Sequence, residues 1–347
     1  MSKVKLGEVA IEHKETCREN KDGYPVVGLE HLVPEEVTLT AWDEGCDNTF
    51  TKMFRKGNVL FGRRRAYLKK AAVAPFDGIC SGDITVIEAI QDRILPELLP
   101  FIIQNDDLFD FAVGKSAGSL SPRVKWEHLK NYEFELPDMD KQRELAELLW
   151  AMNATKKSYQ KLIAATDELV KSQFIEMSQS AESTTILTDI CSPKQWATVA
   201  TKDFTEAGYP VYGANGLIGY YTEYNHEHPT IMIACRGATC GSINVSSGKA
   251  YINGNAMCLD NVSERVNLRF LEYALRYYDF TNVITGSAQP QITANNLTQV
   301  KLLIPSIEVQ IRFETLSIQL DKSKFELEQA LSELTATYKR IIKENLG

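Results

Sequence analysis

Paired histidines and cysteines are the first candidates for metal or nucleophilic chemistry in this sequence. His226 and His228 are separated by one residue in YTEYNHEHPT, and Cys235 and Cys240 lie in ACRGATCGS. Neither pair has further ligands at the spacing that zinc sites use. We interpret the histidines as residues of an exposed loop and the cysteines as buried or incidental thiols.

The common catalytic and nucleotide-binding motifs are absent from the sequence. It has no P-loop, G-x-G-x-x-G, G-x-S-x-G or H-E-x-x-H, and no Asn-Pro-Pro-aromatic tetrapeptide of the amino-methyltransferases. The glycines of residues 213–219, GANGLIG, have the wrong spacing for a dinucleotide turn, and Asn215-Gly216 predicts a tight turn instead. We therefore predict no catalytic residue, metal or bound cofactor on this chain. An enzyme with an unrecognised site is the remaining alternative.

A basic segment at residues 52–70, KMFRKGNVLFGRRRAYLKK, is the strongest indication of binding. It holds eight basic residues and no acidic one, in a chain of net charge −8. Adjacent arginines repel one another, and guanidinium groups bind phosphates through two-point contacts. We predict that this segment contacts DNA rather than forming a solvated basic loop. The candidate residues are Arg63, Arg64, Arg65, Tyr67, Lys69 and Lys70.

The corresponding region of the second half, residues 229–259, differs in chemistry. It contains two basic residues, Arg236 and Lys249, no acidic residue, and many Ser, Thr and Asn. Amide side chains pair with adenine through two hydrogen bonds, although Asn-Gly-Asn is equally typical of a turn. The candidate DNA contacts in this half are Arg236, Lys249, Asn253, Asn255 and Asn215.

One passage of the chain occurs twice. Residues 118–143, GSLSPRVKWEHLKNYEFELPDMDKQR, match residues 286–311, GSAQPQITANNLTQVKLLIPSIEVQI, at a constant spacing of 168. Solenoid units run about 20–50 residues, so this period indicates a duplicated domain. If both copies bind DNA, shared positions carry the frame and differing positions carry base readout. The differing positions are Ser121, Arg123, Lys125, Gln289, Gln291 and Thr293.

Each repeated passage leads into a long segment with helical periodicity. Residues 142–177 and 310–345 show apolar residues every three or four positions, without Gly or Pro. This pattern favours two helices of roughly 54 Å that pair as an antiparallel coiled coil, although packing of each helix on its own domain is the alternative. The candidate pairing residues are Leu145, Leu148, Met152, Tyr159, Leu162, Leu169, Phe313, Leu316, Leu320, Leu327, Leu334 and Ile341.

The predicted fold class is α+β, because short strand-like runs and one helical stretch precede each repeated passage. The expected domains are 1–140 and 184–308, with spacer helices at 141–178 and 309–347. No apolar run is long enough for a membrane span, and the first residues lack a signal-peptide core. Seven cysteines without a C-x-x-C pair indicate reduced thiols, and thus a cytoplasmic protein.

This layout resembles the specificity subunit of Type I restriction–modification systems over nearly the whole chain. The match rests on KLGEVA with GYPVVG, on residues 57–89, and on GSAQPQITANNLTQVKLLIPSIEVQIRF. It also rests on the duplicated order of a globular domain followed by a long helix. GSAQPQITANNLTQVKLLIP is its most specific motif, and GSLSPRVKWEHLKNYEFELP is a looser copy.

The resemblance implies a role in defence against foreign DNA. Each globular domain would recognise one half of a bipartite target in double-stranded DNA. The coiled coil would set the gap and dock two methyltransferase subunits, which bind S-adenosylmethionine and modify adenine. Restriction subunits would join that core, and none of the catalysis would belong to this chain. The alternatives are a coiled-coil interaction scaffold without DNA readout, and a subunit of a methylation-only or related restriction system.

Overall fold

The chain folds into two compact units in the computed structural model, which describes residues 2–17, 21, 23–44, 48–118, 120–286 and 289–347. Unit 1 comprises Met1–Lys161 and Leu327–Gly347, and unit 2 comprises Leu162–Glu326. Both units mix helices with antiparallel and parallel strand pairs, as the α+β prediction requires. Ser119 and Ser287 of the repeated passage, and Cys46, lie outside the described residues.

In the described part of unit 1 there are nine strands, four short α-helices, the first part of one long helix and the last part of another. The strands are β1 (Ser2–Lys5), β2 (Ala10–Glu12), β3 (Val26–Val27), β4 (Lys52–Phe54), β5 (Val59–Gly62), β6 (Ala71–Val73), β7 (Gly78–Cys80), β8 (Ile84–Ala89) and β9 (Glu133–Leu136). The helices are α1 (Leu6–Val9), α2 (Leu99–Ile103), α3 (Asp106–Gly114), α4 (Trp126–Leu129) and α5 (Met139–Ser178), which continues into unit 2.

Unit 2 repeats this order with fewer helices. Its strands are β10 (Thr184–Ile186), β11 (Ser192–Lys194), β12 (Tyr209–Gly213), β13 (Gly216–Tyr221), β14 (Ile231–Ala234), β15 (Ile243–Val245), β16 (Tyr251–Ile252), β17 (Ala256–Asp260) and β18 (Lys301–Leu303). The helices are α6 (Leu268–Arg276) and α7 (Ile307–Leu346), whose last part belongs to unit 1.

Each unit has a larger and a smaller sheet, and the strand order of the larger sheet is equivalent in the two units, whereas that of the smaller sheet differs. The larger sheets have the orders β2-β8-β5-β6 and β11-β17-β14-β15, with antiparallel pairing throughout. The smaller sheets share a parallel pair, β3 with β7 and β12 with β16. The third strand then adds to β7 in unit 1 but to β12 in unit 2.

One central strand of each larger sheet, β5 and β14, is apolar without interruption, because both of its faces are covered. In β5, Val59 and Phe61 face one core, whereas Leu60 faces another. In β14, Ile231 and Ile233 face one core, and Met232 faces the other. Sheet strands buried on both faces are thus common to the two units.

The long helices α5 and α7 each begin two residues before the predicted spacer helices and contain 40 residues. Within unit 1, Leu149 near the start of α5 shares a core with Ile342 near the end of α7. Within unit 2, Phe174 near the end of α5 packs on Phe313 near the start of α7, with a ring distance of 5.4 Å. Within the same unit, Lys324, further along α7 than Phe313, lies 2.6 Å from Asp167, which is earlier in α5 than Phe174, so the two helix segments run antiparallel there. None of the described helices has the length and apolar character needed to cross a membrane.

Three of the predicted pairing leucines do not face the partner helix. Leu148, Leu162 and Leu169 are 45%, 51% and 45% exposed. Each has an apolar neighbour at the next position, and a helix turns about 100° between neighbours, so only one of the two can face inward. Leu149 and Val170 are buried, and position 163 is half-buried. Leu145, Met152 and Phe313 are buried, and the half-buried residues are Tyr159, Leu316, Leu320, Leu327, Leu334 and Ile341.

Candidate nucleic-acid interface

The repeated passage of unit 1 folds back on itself and then against the end of β5. The backbones of Ala117 and Arg123 exchange two hydrogen bonds of 3.0 Å. The Arg65 N–H donates to the Pro122 carbonyl at 2.8 Å, and the Val124 N–H donates to the Arg63 carbonyl at 3.0 Å. This arrangement, called the reader frame below, places the three adjacent arginines directly beside the repeated passage.

Unit 2 contains the same reader frame. Thr285 and Gln291 exchange backbone hydrogen bonds of 2.9 and 2.8 Å. The Gly237 N–H donates to the Pro290 carbonyl, and the Ile292 N–H donates to the Cys235 carbonyl, both at 3.0 Å. The frame therefore places Cys235-Arg236-Gly237 where unit 1 has Arg63-Arg64-Arg65, an equivalence that the sequences alone do not reveal.

Backbone conformation explains two of the shared features. Gly118 and Gly286 begin the turn of the passage with φ of 113° and 86°, a region that favours glycine. Arg65 and Gly237 also correspond, with φ of 54° and 79°. Unit 1 thus holds an arginine in a left-handed conformation for which unit 2 uses glycine.

The shared glutamine of the passage joins the globular part of each unit to its long helix. The Gln142 side chain donates to the Pro137 carbonyl at 2.9 Å and accepts from the Leu95 N–H at 2.8 Å. Gln310 donates to the Pro305 carbonyl at 2.8 Å and accepts from the N–H of residue 267 at 2.8 Å. Both side chains are buried, and so are Leu129 and Leu297. The matching positions of the repeated passage therefore have structural roles, as the repeat predicted.

Acidic residues from other parts of unit 1 neutralise much of the basic segment. Arg55 binds Glu15 and Asp77, which raises the pKa of the guanidinium, and its hydrogen bonds lower the pKa of the Glu15 carboxyl group. Lys69 Nζ lies 2.5 Å from Asp106, and Lys70 Nζ donates to the Leu29 carbonyl at 2.7 Å. The separation of charges along the sequence is thus not preserved in the folded unit. Lys69 and Lys70 are partly engaged by the protein itself.

Three residues of the segment are better placed for DNA. Among the described residues, the side chains of Arg63 and Arg65 have no ion-pair partner. The Nε of Arg63 is buried and lacks a hydrogen-bond acceptor, and Arg65 is exposed. Tyr67 is 55% exposed next to them. Free positive charge of the segment therefore remains at the reader frame and at the exposed Lys56, which has no ion pair among the described residues either.

Asp83 lies at the centre of the reader frame in unit 1. Its carboxylate accepts from Arg123 Nε at 2.7 Å and Nη2 at 3.3 Å, and from Arg64 Nη1 at 3.5 Å. The hydrogen bonds from Arg123, followed by the charges of both arginines, hold the pKa of Asp83 below its usual range. Arg64 Nε donates to the Ser121 hydroxyl. Ser121 therefore orients an arginine, in addition to the readout role predicted for it.

Unit 2 places neutral side chains at the corresponding positions. Asn255 precedes β17 as Asp83 precedes β8, and Gln291 takes the place of Arg123. Arg236, Asn255, Gln289, Gln291 and Thr293 are all exposed, as Lys125 is in unit 1. The Thr293 hydroxyl lies 2.6 Å from Asn296 Oδ1, so it closes a local turn. The two units thus present different chemistry on one backbone frame.

The remaining candidates of unit 2 lie on other turns. Asn253 is only 5% exposed, and its amide bonds the Val199 N–H at 2.9 Å and the Val199 carbonyl at 3.3 Å. Its prediction as a base contact is wrong for this conformation, because both amide atoms hold a neighbouring segment. Asn215 is exposed in the tight turn between β12 and β13, and Lys249 is exposed with φ of 52°.

The histidine pair is divided between a packed and an exposed position. His226 packs its ring against Trp196, and its Nε2 lies 3.0 Å from Asp260 Oδ1. It is therefore not the exposed loop residue that we expected, whereas His228 is exposed. Ligand atoms of His226, Cys258 and Asp260 lie within 4.8 Å of one another, but burial raises the pKa of the Cys258 thiol to about 12. We interpret the group as a structural His–Asp pair.

Sequence reasoning missed the acidic partners of the reader frame and of the basic segment. Asp83, Glu15 and Asp77 all lie outside residues 52–70. For Asp83 a signal exists in the repeat. The stretch Ser81-Gly82-Asp83 occupies the position of Asn253-Gly254-Asn255, which marks Asp83 as the counterpart of a candidate readout residue.

Comparisons with known proteins bear on this architecture. The family model described as the Type I restriction modification DNA specificity domain matches residues 1–165 and 183–335. The Type I restriction enzyme EcoprrI specificity subunit of Escherichia coli is 31% identical over 116 residues, which cover 31% of this chain and 29% of that relative. The curated match therefore spans less than a third of the relative's length.

Solved structures share the fold over the whole chain. The Type I restriction-modification S subunit from M. genitalium has a TM-score of 0.66 and 16% identity, covering 100% of this chain and 96% of its own. A chain from a study of complex assembly and conformational transition of the Type I R-M system has a TM-score of 0.60 and 19% identity, with coverage of 99% and 97%. At these identities the likeness establishes the fold.

Proposed function

Because the chain belongs to the family of Type I restriction modification DNA specificity domains, we propose that it is the non-catalytic specificity subunit of such a complex. It provides DNA sequence recognition in the cytoplasm and serves in defence against foreign DNA. Methyltransferase subunits, which bind S-adenosylmethionine and modify adenine, supply the chemistry, and restriction subunits join them.

The observation that carries this proposal is the reader frame, built twice with different exposed side chains. A frame for one target would not require unit 1 to carry Asp83 and Arg123 where unit 2 carries Asn255 and Gln291. Conserved backbone contacts with divergent exposed side chains are what two readers of two sequences need. We infer that each unit recognises one half of a bipartite target in double-stranded DNA.

The long helices supply the second part of the proposal. Ile311, Ile318 and Phe325 repeat every seven residues along α7 and are 49%, 54% and 65% exposed. Exposed apolar side chains in line mark a protein interaction surface, since single ones are normal but a stripe is not. We assign this stripe to docking of the methyltransferase subunits, and the helix pair to setting the gap between half-targets.

A scaffold role without DNA readout is the alternative function. It is favoured by the neutralisation of Arg55, Lys69 and Lys70 inside unit 1. It does not account for Arg63 and Arg65, whose charges are left without partners in the described part of the chain.

An exchange of unit-1 sequence distinguishes the two functions. Residues 1–140 are replaced by the first domain of another family member, and the hybrid is co-expressed with the methyltransferase subunits. For a specificity subunit, methylome sequencing will show one changed half of the target and one unchanged half. A hybrid that assembles normally while the methylated motif stays the same would instead support the scaffold.

A further inference from the structure

Arg123 is held by Asp83 along one edge of its guanidinium. Nε donates to Oδ1 at 2.7 Å, and Nη2 donates to Oδ2 at 3.3 Å. A guanidinium has five N–H groups, and this side-on pair uses two of them. The remaining N–H groups, on Nη1 and the outer side of Nη2, point away from Asp83 as a fork. The Arg123 side chain is 43% exposed, so solvent or a ligand reaches it.

Asp83 is itself fixed on several sides. Its backbone carbonyl accepts from the Arg63 N–H at 3.0 Å, and its N–H donates to the Ser81 hydroxyl at 3.2 Å. Arg64 approaches Oδ2 at 3.5 Å and is oriented by Ser121. The carboxylate side chain is only 21% exposed. The Arg123 side chain is thus held in place before a ligand arrives, which lowers the conformational entropy lost on binding.

We propose that Arg123 reads a guanine in the half-target bound by unit 1, with Asp83 as the positioning residue. This inference rests on the proposed function. The fork of an arginine matches the O6 and N7 acceptors of guanine in the major groove. Adenine has the N6 amino group in place of O6. This group is a hydrogen-bond donor, so it cannot accept from an arginine N–H. The device therefore selects guanine over adenine.

Unit 2 has no Asp–Arg pair at the corresponding positions. Gln291 stands where unit 1 has Arg123, and Asn255 where it has Asp83. A glutamine amide lacks the fork of two parallel donors, and its pairing with adenine needs one donor and one acceptor. The guanine contact assigned to Arg123 therefore belongs to the unit-1 half of the target.

A test on the DNA leaves the protein unchanged. After the methylome gives the target and the hybrid assigns its halves, duplexes carrying 7-deazaguanine at single positions are titrated with the complete methyltransferase complex. One guanine in the unit-1 half is expected to weaken binding by roughly 2- to 12-fold when its N7 is removed, because one of the two hydrogen bonds of the bidentate contact is lost. Inosine at the same position retains O6 and N7 and lacks only the minor-groove amine, so it should bind normally.

Variants then connect that base to the arginine. Arg123→Met removes every donor of the guanidinium, so the complex should bind the normal and the 7-deaza duplex equally well. Asp83→Asn should reduce the same discrimination partly, since Arg123 loses its charged support. Lys125→Gln removes a neighbouring exposed charge and should weaken binding evenly for both duplexes.

The outcomes separate this inference from the proposed function. A complex that binds a split target but has no guanine in the unit-1 half, or whose Arg123→Met variant still distinguishes the two duplexes, would overturn the role of Arg123. A complex that shows no split target at all would overturn the proposed function instead.

Discussion

Replacing Arg65 by glycine separates DNA binding from folding at the reader frame. Arg65 has φ of 54°, and its counterpart Gly237 has φ of 79° in the same hydrogen-bonded position. A non-glycine residue pays about 1–2 kcal/mol in this left-handed region. Glycine avoids that strain but costs roughly 0.5–1 kcal/mol of additional chain entropy on folding. Arg65→Gly should therefore leave the free energy of unfolding unchanged or raise it by about 1 kcal/mol.

The same change removes one charge from the proposed DNA contact. Arg65 is exposed and has no ion-pair partner among the described residues, so its charge is free to contact a phosphate. Each phosphate contact contributes about 0.9 to the slope of log K against log salt concentration. Between 50 and 200 mM salt, loss of one contact should make the fall in affinity about 3.5-fold smaller than in the wild type.

The assay is a salt series of duplex titrations with the complete methyltransferase complex, paired with urea unfolding of the free chain. Arg65→Lys is the matched control, because it keeps the charge and the same backbone strain. The reverse change, Gly237→Arg, should increase the salt slope by about 0.9 and destabilise unit 2 by about 1 kcal/mol. A salt slope that is equal for Arg65→Gly and wild type would refute the assignment of Arg65 to phosphate contact.

Three further predictions concern the buried Gln310, the exposed apolar residues of α7, and the pH dependence of stability in unit 1. Gln310→Ala should lower the free energy of unfolding by about 2–4 kcal/mol in urea, because it leaves buried backbone groups unpaired, whereas exposed Gln319→Ala should have little effect. Ile318→Glu or Phe325→Glu should weaken binding of the methyltransferase subunits at least about tenfold in calorimetry, without lowering the Tm of the free chain. The lowered pKa of Asp83 means that its ion pairs stabilise unit 1 above about pH 4 and lose this contribution on acidification, so Asp83→Asn should flatten stability measured from pH 6 to pH 3.

The duplication and the helices could be read from the sequence because they rest on local pattern. Glycines 118 and 286 need a positive φ, and the buried glutamines 142 and 310 have the same hydrogen-bonding task in both units. Period and spacing alone reveal such positions. Where the pattern was ambiguous, prediction failed: Leu148 and Leu149 are equally apolar, and only packing decides which of them is buried.

The electrostatics of the candidate site could not be read in the same way. Asp83 pairs with Arg123 across 40 positions of sequence, and Arg55 pairs with Glu15 across the same separation. Charge segregation along a chain predicts a basic surface only when no distant acid folds against it. Asn253 shows the same limit, since its buried amide holds Val199, 54 positions away.

Methylome sequencing of a host that expresses this chain with its methyltransferase subunits tests the central claim most directly. Two units with one reader frame and different side chains predict a single methylated motif in two unlike parts, separated by a gap of constant length. An unsplit motif, or no methylation that depends on this chain, would contradict the account.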